Sequence, residues 1–415
     1  MASFTRCDIE IMAPAGSFAS LAAAIRAGAD SVYFGAGGLN MRQASSANFS
    51  LVDLGKIARI ASGSGVKTYL TLNSTLFDSE LAAMRQAMDA AKEAGVSAVI
   101  AADHAAIAYA SSIGLELHLS TQLSISNVDA LRFYARWADV VVLARELDLG
   151  QVAAIRDAIE AEGICGPSGK PLRIEIFVHG ALCMAISGKC HLSLHQYNRS
   201  ANRGACLQAC RRGYLLTELD TGDAIAVDNQ YLMSPKDLKT IHFLDRILDS
   251  GVRVLKIEGR ARPPDYVQAT VSCYREAVEA ILDGSYGSQK VADWDRRLSE
   301  VFNRGFWDGY YLGQRLGEWS GHYGSAATKK RVYVGYCTHY FSALGVASFI
   351  IENEGIAPGN DLLIVGASTG ALSARPEELR VDNLPVTVAL RGSEPSFKVD
   401  RKARQGDKLY KLVDA

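Results

Sequence analysis

Hydrophobic positions along the chain fall into a repeating unit. An amphipathic stretch with helical spacing ends at a glycine, and a short apolar, β-branched run follows. The unit recurs in IRAGADSVYFG at Gly28, ASGSGVKTYLTLN at Gly65, KEAGVSAVIAAD at Gly95, SSIGLELHLSTQ at Gly114 and LDSGVRVLKIEG at Gly251. Glycine after a helix supplies the left-handed cap that turns the chain into the next strand. Helices alternating with short buried runs predict βα units around a parallel sheet. Eight runs qualify: Glu10–Met12, Ser31–Phe34, Lys67–Leu72, Ala98–Ala101, Glu116–Leu119, Val140–Leu143, Arg173–Val178 and Arg253–Ile257. Eight strands in about 260 residues predict an α/β fold, a (β/α)8 TIM-like barrel. A doubly wound parallel sheet is the competing arrangement.

The spacing breaks between the seventh and eighth runs, where residues from about 180 to 235 form an insertion. Long insertions on barrels sit at the C-terminal face, where strand ends meet their loops. From Pro264 to about Leu316 the period turns helical, which predicts the last barrel helix and an extension. Beyond about Lys330 the runs shorten to RVYVGYC, SALGVASFI, DLLIVG, PVTVALRG and DKLYKLV, with turn signals PGND and RQGD between them. That pattern predicts a small all-β barrel. The domain reading is therefore 1–328 for the barrel, its insertion and its extension, and 329–415 for the β domain.

Composition narrows the function classes. A length of 415 residues suits one large domain and a small one. With 48% hydrophobic and 21% charged residues the chain is globular rather than disordered. The formal net charge of -1 excludes a global positive field, so any RNA contact must come from local patches. The opening MASFTRCDIEIMAPAG has no basic stretch followed by a long apolar one, and no window approaches about 18 apolar residues. The expected setting is a reducing cytoplasm with no membrane association.

There, clustered cysteines argue for a metal or catalysis rather than disulfides. Cys183, Cys190, Cys206 and Cys210, four of the chain's eight, follow the pattern C-x6-C-x15-C-x3-C. Four thiolates on one insertion can saturate a sulfur site suited to zinc or an iron–sulfur cluster. The spacing matches neither the ferredoxin run nor a zinc ribbon, so it does not choose the metal. Cys206 and Cys210 stand four apart, and a helical turn would put both sulfurs on one face. The alternative is four buried cysteines acting as small hydrophobes. Gly180, Gly188 and Gly204, with polar residues between them, argue against it.

Polar residues also collect at the predicted strand ends: Asn73, Asp103, His104, Gln122, Arg145, Glu146, His179, Lys256, Glu258 and Arg260. A polar group at the C-terminal end of a barrel strand is a site candidate. Arg145, His179, Lys256, Glu258 and Arg260 are the candidate catalytic residues. Arg145, Lys256 and Arg260 form a cationic rim for a small dianion or an RNA backbone, unless Glu146 and Glu258 neutralise them in ion pairs. His118 and His179 are candidate proton handlers. Within the insertion, His191, His195, Tyr197, Arg199, Arg203, Arg211 and Arg212 interleave base and ring. Cation plus stacking surface holds unpaired RNA bases, which makes Tyr197, Arg199, Arg203 and Arg211 candidate RNA contacts. Lys329–Arg331 and Arg401–Arg404 add basic spots on the β domain. H-E-x-x-H does not occur, and the G-x-S-x-G match at Gly366–Gly370 falls among the short strands of the β domain with no helix predicted after it, so it is not a nucleophile elbow. Cys183 with His179 could be drawn as a nucleophile pair, but a cysteine committed to a metal is no free nucleophile.

Five stretches carry a family resemblance: EIFVHGALCMAISGKCHLS (Glu175–Ser193), MAPAGSFASLAAAIRAGADSVYFG (Met12–Gly35), LHLSTQLSISN (Leu117–Asn127), VVLARELDL (Val141–Leu149) and VLKIEGRAR (Val254–Arg262). Together they resemble the U32 peptidase family over nearly the whole chain. Within it the chain is most similar to the tRNA hydroxylation branch. The resemblance implies oxygen-independent formation of 5-hydroxyuridine at wobble uridine 34 of tRNA, with prephenate or a derivative as co-substrate. It implies that Cys183, Cys190, Cys206 and Cys210 ligate a [4Fe–4S] cluster. It also implies a C-terminal domain similar to the β-barrels of translation factors, which suits a tRNA partner. Related members act on 23S rRNA cytidine or on ubiquinone precursors, and some are described as collagenases. A U32-type peptidase and a non-catalytic RNA-binding scaffold are the other two function classes.

Overall fold

The computed structural model describes residues 4–44, 48–227, 233–314, 317–321 and 324–415. Strand and helix alternate from the start: β1 (Glu10–Pro14), α1 (Phe18–Arg26), β2 (Ser31–Phe34), α2 (Leu54–Ser62), β3 (Lys67–Leu72), α3 (Leu81–Glu93), β4 (Ala98–Ala101), α4 (His104–Ser112), β5 (Leu117–Leu119), α5 (Val128–Ala135), β6 (Val140–Val142), α6 (Leu149–Glu162) and β7 (Arg173–Ala181). The insertion follows, with α7 (Leu192–Tyr197), a hairpin of β8 (Tyr214–Thr217) and β9 (Ala224–Val227), and β10 (Asp237–Lys239). Its residues 228–232 lie outside the described ones. Then come α8 (Leu244–Asp249), β11 (Val252–Ile257), α9 (Pro264–Leu282), α10 (Ser288–Glu300) and β12 (Phe306–Trp307).

Strands β1 to β7 pair in parallel in chain order, and β11 pairs in parallel with both β1 and β7. The eight strands therefore close into a (β/α)8 barrel, and the doubly wound alternative is excluded. Helices pack outside the strands because their apolar faces must be buried against the sheet. Gly28 and Gly251 adopt φ of 88° and 94°, the left-handed turn that feeds β2 and β11.

Two boundaries differ from the sequence reading. Strand β7 runs to Ala181, past the expected Val178, because β10 returns antiparallel along its end and pairs Asp237 with Ala181 and Lys239 with His179. The helical extension stops at Glu300. Asn303 then bonds the Gly305 amide at 3.0 Å and the Val301 carbonyl at 2.9 Å, and this turn leads into β12, which adds to β10. Leu316, the expected helix end, lies outside the described residues.

The C-terminal region holds β13 (Lys329–Phe341), β14 (Val346–Ile351), β15 (Leu362–Gly366), β16 (Gly370–Ala374), β17 (Leu379–Val381), β18 (Leu384–Val386), β19 (Ser396–Lys398) and β20 (Lys408–Asp414). They form one antiparallel sheet in the order β16-β15-β20-β13-β14-β19-β17-β18, around a core that includes Val334, Cys337, Phe349, Ile364 and Leu409. PVTVALRG is strand only through Val386, after which Ala389 bridges to Ile356. The sheet docks on α1 without side-chain clearance. A Cβ at Gly370 would fall 2.8 Å from the Ala23 amide nitrogen. Arg331 of β13 pairs with Asp265 of α9 at 3.2 Å. No helix among the described residues is long and apolar enough to cross a membrane.

Candidate active site at the barrel mouth

Successive strand residues alternate between barrel interior and helix layer. One inward set is apolar: Met12, Tyr33, Tyr69, Ala98, Ile100, Val140 and Val254. Between these residues runs a chain of buried ionisable groups from base to mouth. Glu10, the first residue of β1, accepts the Tyr69 hydroxyl at 2.7 Å and pairs with Arg173 at 2.9 Å. The Tyr69 ring lies 4.4 Å from the His118 ring. His118 Nδ1 is 3.2 Å from Glu175 Oε2, and Glu175 Oε1 accepts from Lys256 Nζ at 2.6 Å. His118 and Glu175 are fully buried and Lys256 is 4% exposed.

Their proton affinities follow from these contacts. Burial alone would raise Glu10, but Arg173, His118 and Tyr69 outweigh it and hold the carboxyl at about 2. Burial likewise opposes the charge on Glu175, which Lys256 and His118 keep ionised. Burial also opposes a proton on His118, yet the carboxylates of Glu116, 3.7 Å from Nε2, and Glu175 raise its affinity. Lys256 is lowered, first by burial and further by Arg260 and Arg145, against the pull of Glu175.

Above this chain sit the cations predicted from strand ends. Arg260, 5% exposed, donates to Asn40 Oδ1 at 3.0 Å and Thr71 Oγ1 at 2.8 Å. Both partners are neutral, and burial lowers Arg260 to about 10. Gly35 makes room here, since a Cβ on it would lie 2.8 Å from Arg260 Nη1. Arg145 stacks on the Phe177 ring at 3.9 Å, reaches the Ala181 carbonyl at 3.4 Å, and keeps a buried Nε without a partner. Glu258 does not neutralise either arginine by contact. It pairs at 3.0 Å with Arg42, a residue the sequence reading did not single out. Among the described residues Arg145 and Arg260 form no ion pair with a carboxylate, so the mouth carries surplus positive charge.

The insertion lies across this mouth. Ala44 N–H donates to Gly204 O at 3.0 Å, Thr75 N–H to Asn202 O at 3.1 Å, and Gln122 Nε2 to Asn202 Oδ1 at 3.2 Å. Arg203 grips Glu80 with both Nη atoms, at 2.8 and 3.0 Å, and stacks on Phe77 at 3.5 Å. Arg211 donates to the Leu182 and Pro235 carbonyls and to Ser234 Oγ. Arg203 and Arg211 are thus internal braces, which corrects their expected role as open RNA contacts. Tyr197 and Arg199 are exposed, and Arg212 bonds and stacks on Tyr197.

Cys183 is exposed, and Cys190, Cys206 and Cys210 are half-buried. Cys210 is pushed up to about 11 by burial, with the charges of Cys183, Cys206 and Cys190 adding to it. Cys190 is raised by burial and by Cys183 and Cys206. Cys210 therefore lies within electrostatic reach of the other three thiols, and the Arg42 guanidinium within reach of Cys206 and Cys183. Among the described residues no three His, Cys, Asp or Glu side chains come close enough to hold a single ion. The helical turn expected for Cys206 and Cys210 is absent. Gly204 and Gln208 are both left-handed, with φ of 81° and 54°, and only Ala209–Arg211 forms a short 3₁₀ turn.

Four other candidates have packing, capping, bracing or exposed positions. His179 is wedged among Tyr266, Tyr274 and Phe306, with Tyr274 Oη 3.5 Å from its Nδ1. Burial, helped by Lys239 and Arg262, lowers it to about 3, so it is a neutral packing residue rather than a proton handler or the base of Cys183. Asp103 caps α4 through the Ala105 amide, and His104 is the exposed first residue of that helix. Asn73 accepts from the Met41 amide at 3.2 Å and braces the loop after β2. Sequence reasoning missed Glu10, Arg42, Tyr69 and Glu175. Only the inward parity of Glu10 and Glu175 on otherwise apolar strands could have signalled them.

Comparison with known proteins places this architecture. A family model described as peptidase family U32 matches residues 16–321. A Porphyromonas gingivalis protein named collagenase is 57% identical over 405 residues, covering 98% of both chains. The tRNA hydroxylation protein P1 of Bacillus subtilis is 33% identical over 71% of this chain and 69% of its own. The 23S rRNA 5-hydroxycytidine C2501 synthase of Escherichia coli is 36% identical over 75% of this chain and 46% of its own. A solved U32 peptidase structure aligns over 62% of this chain and 97% of its own, at 11% identity and a TM-score of 0.40.

Proposed function

The chain belongs to the peptidase U32 family, and from that premise we propose that it is an RNA-modifying enzyme. In this reading it hydroxylates uridine 34 of tRNA to 5-hydroxyuridine without dioxygen, in the cytoplasm, with prephenate or a derivative as co-substrate and a [4Fe–4S] cluster on Cys183, Cys190, Cys206 and Cys210. One observation carries it: four thiols sit on one insertion that lies across a mouth with surplus positive charge, the Cys210 thiol within electrostatic reach of the other three. The names of relatives at 33% and 36% identity, one a tRNA hydroxylation protein and one an rRNA hydroxycytidine synthase, support RNA hydroxylation as the reaction class.

The donor set fits the cluster. It is all sulfur, which suits zinc or iron–sulfur. A [4Fe–4S] cluster takes four such thiolates. When bound it would supply one-electron transfer.

The remaining work falls to side chains of this chain. Arg145 and Arg260 bind carboxylate or phosphate oxygens. Glu175 and Lys256 hold one exchangeable proton between them at 2.6 Å. Tyr33 and Phe177 wall Lys256 off from water, with ring centroids 4.8 and 5.5 Å from Nζ. The Arg42–Glu258 pair ties the loop after β2 to the end of β11. Exposed Tyr197 and Arg199 offer a base-stacking face and a phosphate contact.

A peptidase reading is favoured by the collagenase name of a relative 57% identical over nearly the whole chain. Among the described residues the one pair drawn from the sequence, Cys183 with His179, does not serve it, because His179 is buried among aromatic rings. The test is complementation of a bacterium that lacks 5-hydroxyuridine, with tRNA nucleosides read by mass spectrometry. Wild-type protein restores the nucleoside, while Cys206→Ala and Arg260→Gln do not. Folded protein with about four irons per chain and no 5-hydroxyuridine overturns the reading.

A further inference from the structure

The mouth contains more machinery than an anion site needs. Lys256 lies on the inner wall of β11, next to the strand's last residue. Its Nζ stands against two aromatic faces, Tyr33 and Phe177. Each ring also carries a second cation: Arg145 is 3.9 Å from the Phe177 centroid, and Arg260 is 6.0 Å from the Tyr33 centroid. The amine is thus flanked on both sides by guanidiniums that have no carboxylate partner among the described residues. A structural Lys–Glu pair requires neither of them. Behind the amine, Glu175 presents one oxygen at 2.6 Å, and His118 holds the other oxygen at 3.2 Å.

We propose that Lys256 is a covalent catalyst whose Nζ condenses with the carbonyl carbon of a small 2-oxo acid held at the mouth. The proposal rests on the reading of the mouth as a small-acid site and goes beyond it. A guanidinium takes the carboxylate, which presents the adjacent carbonyl carbon to Nζ. Glu175 accepts the proton of the Lys256 ammonium and frees the nitrogen lone pair. The C–N bond forms, the carbonyl C–O bond breaks, and the oxygen leaves as water with protons from the amine. The product is an imine, with no change of oxidation state. A nucleophilic lysine needs a desolvated site beside other cations so that it is neutral often enough to attack. Lys256 meets both conditions, and its lowered proton affinity agrees. A phosphate ligand would occupy the arginines and leave the amine, the aromatic walls and the Glu175–His118 pair without a task.

The experiment uses the full-length protein, purified anaerobically with its metal. It is incubated separately with pyruvate and with prephenate in the presence of sodium cyanoborohydride, then digested and mapped by mass spectrometry. Binding of each acid is measured in parallel by calorimetry. The expected result is a carboxyalkyl adduct on the peptide that contains Lys256, dependent on acid and reductant and lost in Lys256→Arg. Tryptophan fluorescence confirms that this variant is folded, and adduct mapping in the wild type does not depend on it. Binding without an adduct, or an adduct on another lysine, overturns the imine and leaves the small-acid site standing. Neither binding nor an adduct overturns both.

Discussion

Replacing Glu175 with glutamine should damage the barrel more than replacing Lys256 with methionine, although the two residues form one ion pair. Glu175 is fully buried between two cationic groups, Lys256 and His118, whereas Lys256 has one carboxylate partner. Glu175→Gln leaves a buried ammonium without an anion beside it and takes from His118 the nearer of its two carboxylates, Glu116 standing at 3.7 Å. Lys256→Met leaves the carboxylate still held by His118 and removes a charge that burial already disfavours. Removing one partner of a buried pair costs about 3–5 kcal/mol, while replacing both with apolar or neutral groups of similar shape is near neutral. We therefore expect a loss of about 3–5 kcal/mol for Glu175→Gln, about half of that for Lys256→Met, and less than Glu175→Gln alone for the double variant. At about 2 °C per kcal/mol for a unit of this size, Glu175→Gln lowers the midpoint by about 6–10 °C. The assay follows from the placement of tryptophan. All four stand at 137, 294, 307 and 319, before the C-terminal sheet, so their fluorescence reports barrel unfolding alone. Additive losses in the double variant, or a larger loss for Lys256→Met, would refute the argument that these groups share one buried charge balance.

Further expectations concern the same chain of groups and the insertion. Glu10 is held at about 2 against an ordinary 4.5, so its contribution is fully present above pH 4.5 and is lost as pH falls toward 2. That contribution is on the order of 3 kcal/mol, and Glu10→Gln should flatten the acid limb of stability against pH in chemical denaturation. His118 has the opposite sign. Its proton affinity is raised, so its stabilisation is complete below about 6.5 and fades as pH rises through its folded value, a slope that His118→Gln should remove. Gly204→Ala forces a Cβ to 2.5 Å from the Asn40 carbonyl at a left-handed φ. It should lift the insertion off the mouth, read as faster Cys206 alkylation and faster proteolysis within 183–227, with barrel fluorescence unchanged. Tyr197→Ala should weaken tRNA binding by about 1–3 kcal/mol. Arg199→Ala should lower the slope of log affinity against log salt by about 1. Unchanged binding in both would remove this face from the RNA site.

Most of the barrel was legible because its signals are local. Glycines at 28, 65, 95, 114 and 251 are all left-handed, and each ends a helix ahead of a strand. The buried charge chain was not legible, because closure makes it. Glu10, Tyr69, His118, Glu175 and Lys256 come from five strands that only meet when β11 pairs with both β1 and β7. Each looks like a stray polar residue in an apolar run. The cysteines were legible as a group but not in conformation. A four-residue spacing implies one helix face only if the backbone is helical, and left-handed Gly204 and Gln208 break it. Arg203 and Arg211 show a similar limit. Basic residues among rings read as an RNA face, but Glu80 and the Leu182 carbonyl claim them once the insertion is docked.

The charge at the mouth bears on which substrates this barrel can take. Two guanidiniums with only neutral partners, one of them 5% exposed, are costly to keep away from water. Glu258 could have balanced them, but it is held by Arg42, which also faces Cys183 and Cys206. The docked insertion therefore leaves the imbalance in place while bringing the thiols beside it. A peptide backbone is neutral and cannot offset that cost. A small carboxylic acid or a phosphodiester can, and either would gain from the low dielectric that makes the empty arrangement unfavourable. Arg145→Gln and Arg260→Gln should accordingly stabilise the ligand-free barrel or leave it unchanged while abolishing acid binding. A peptidase would show no such opposition between stability and binding.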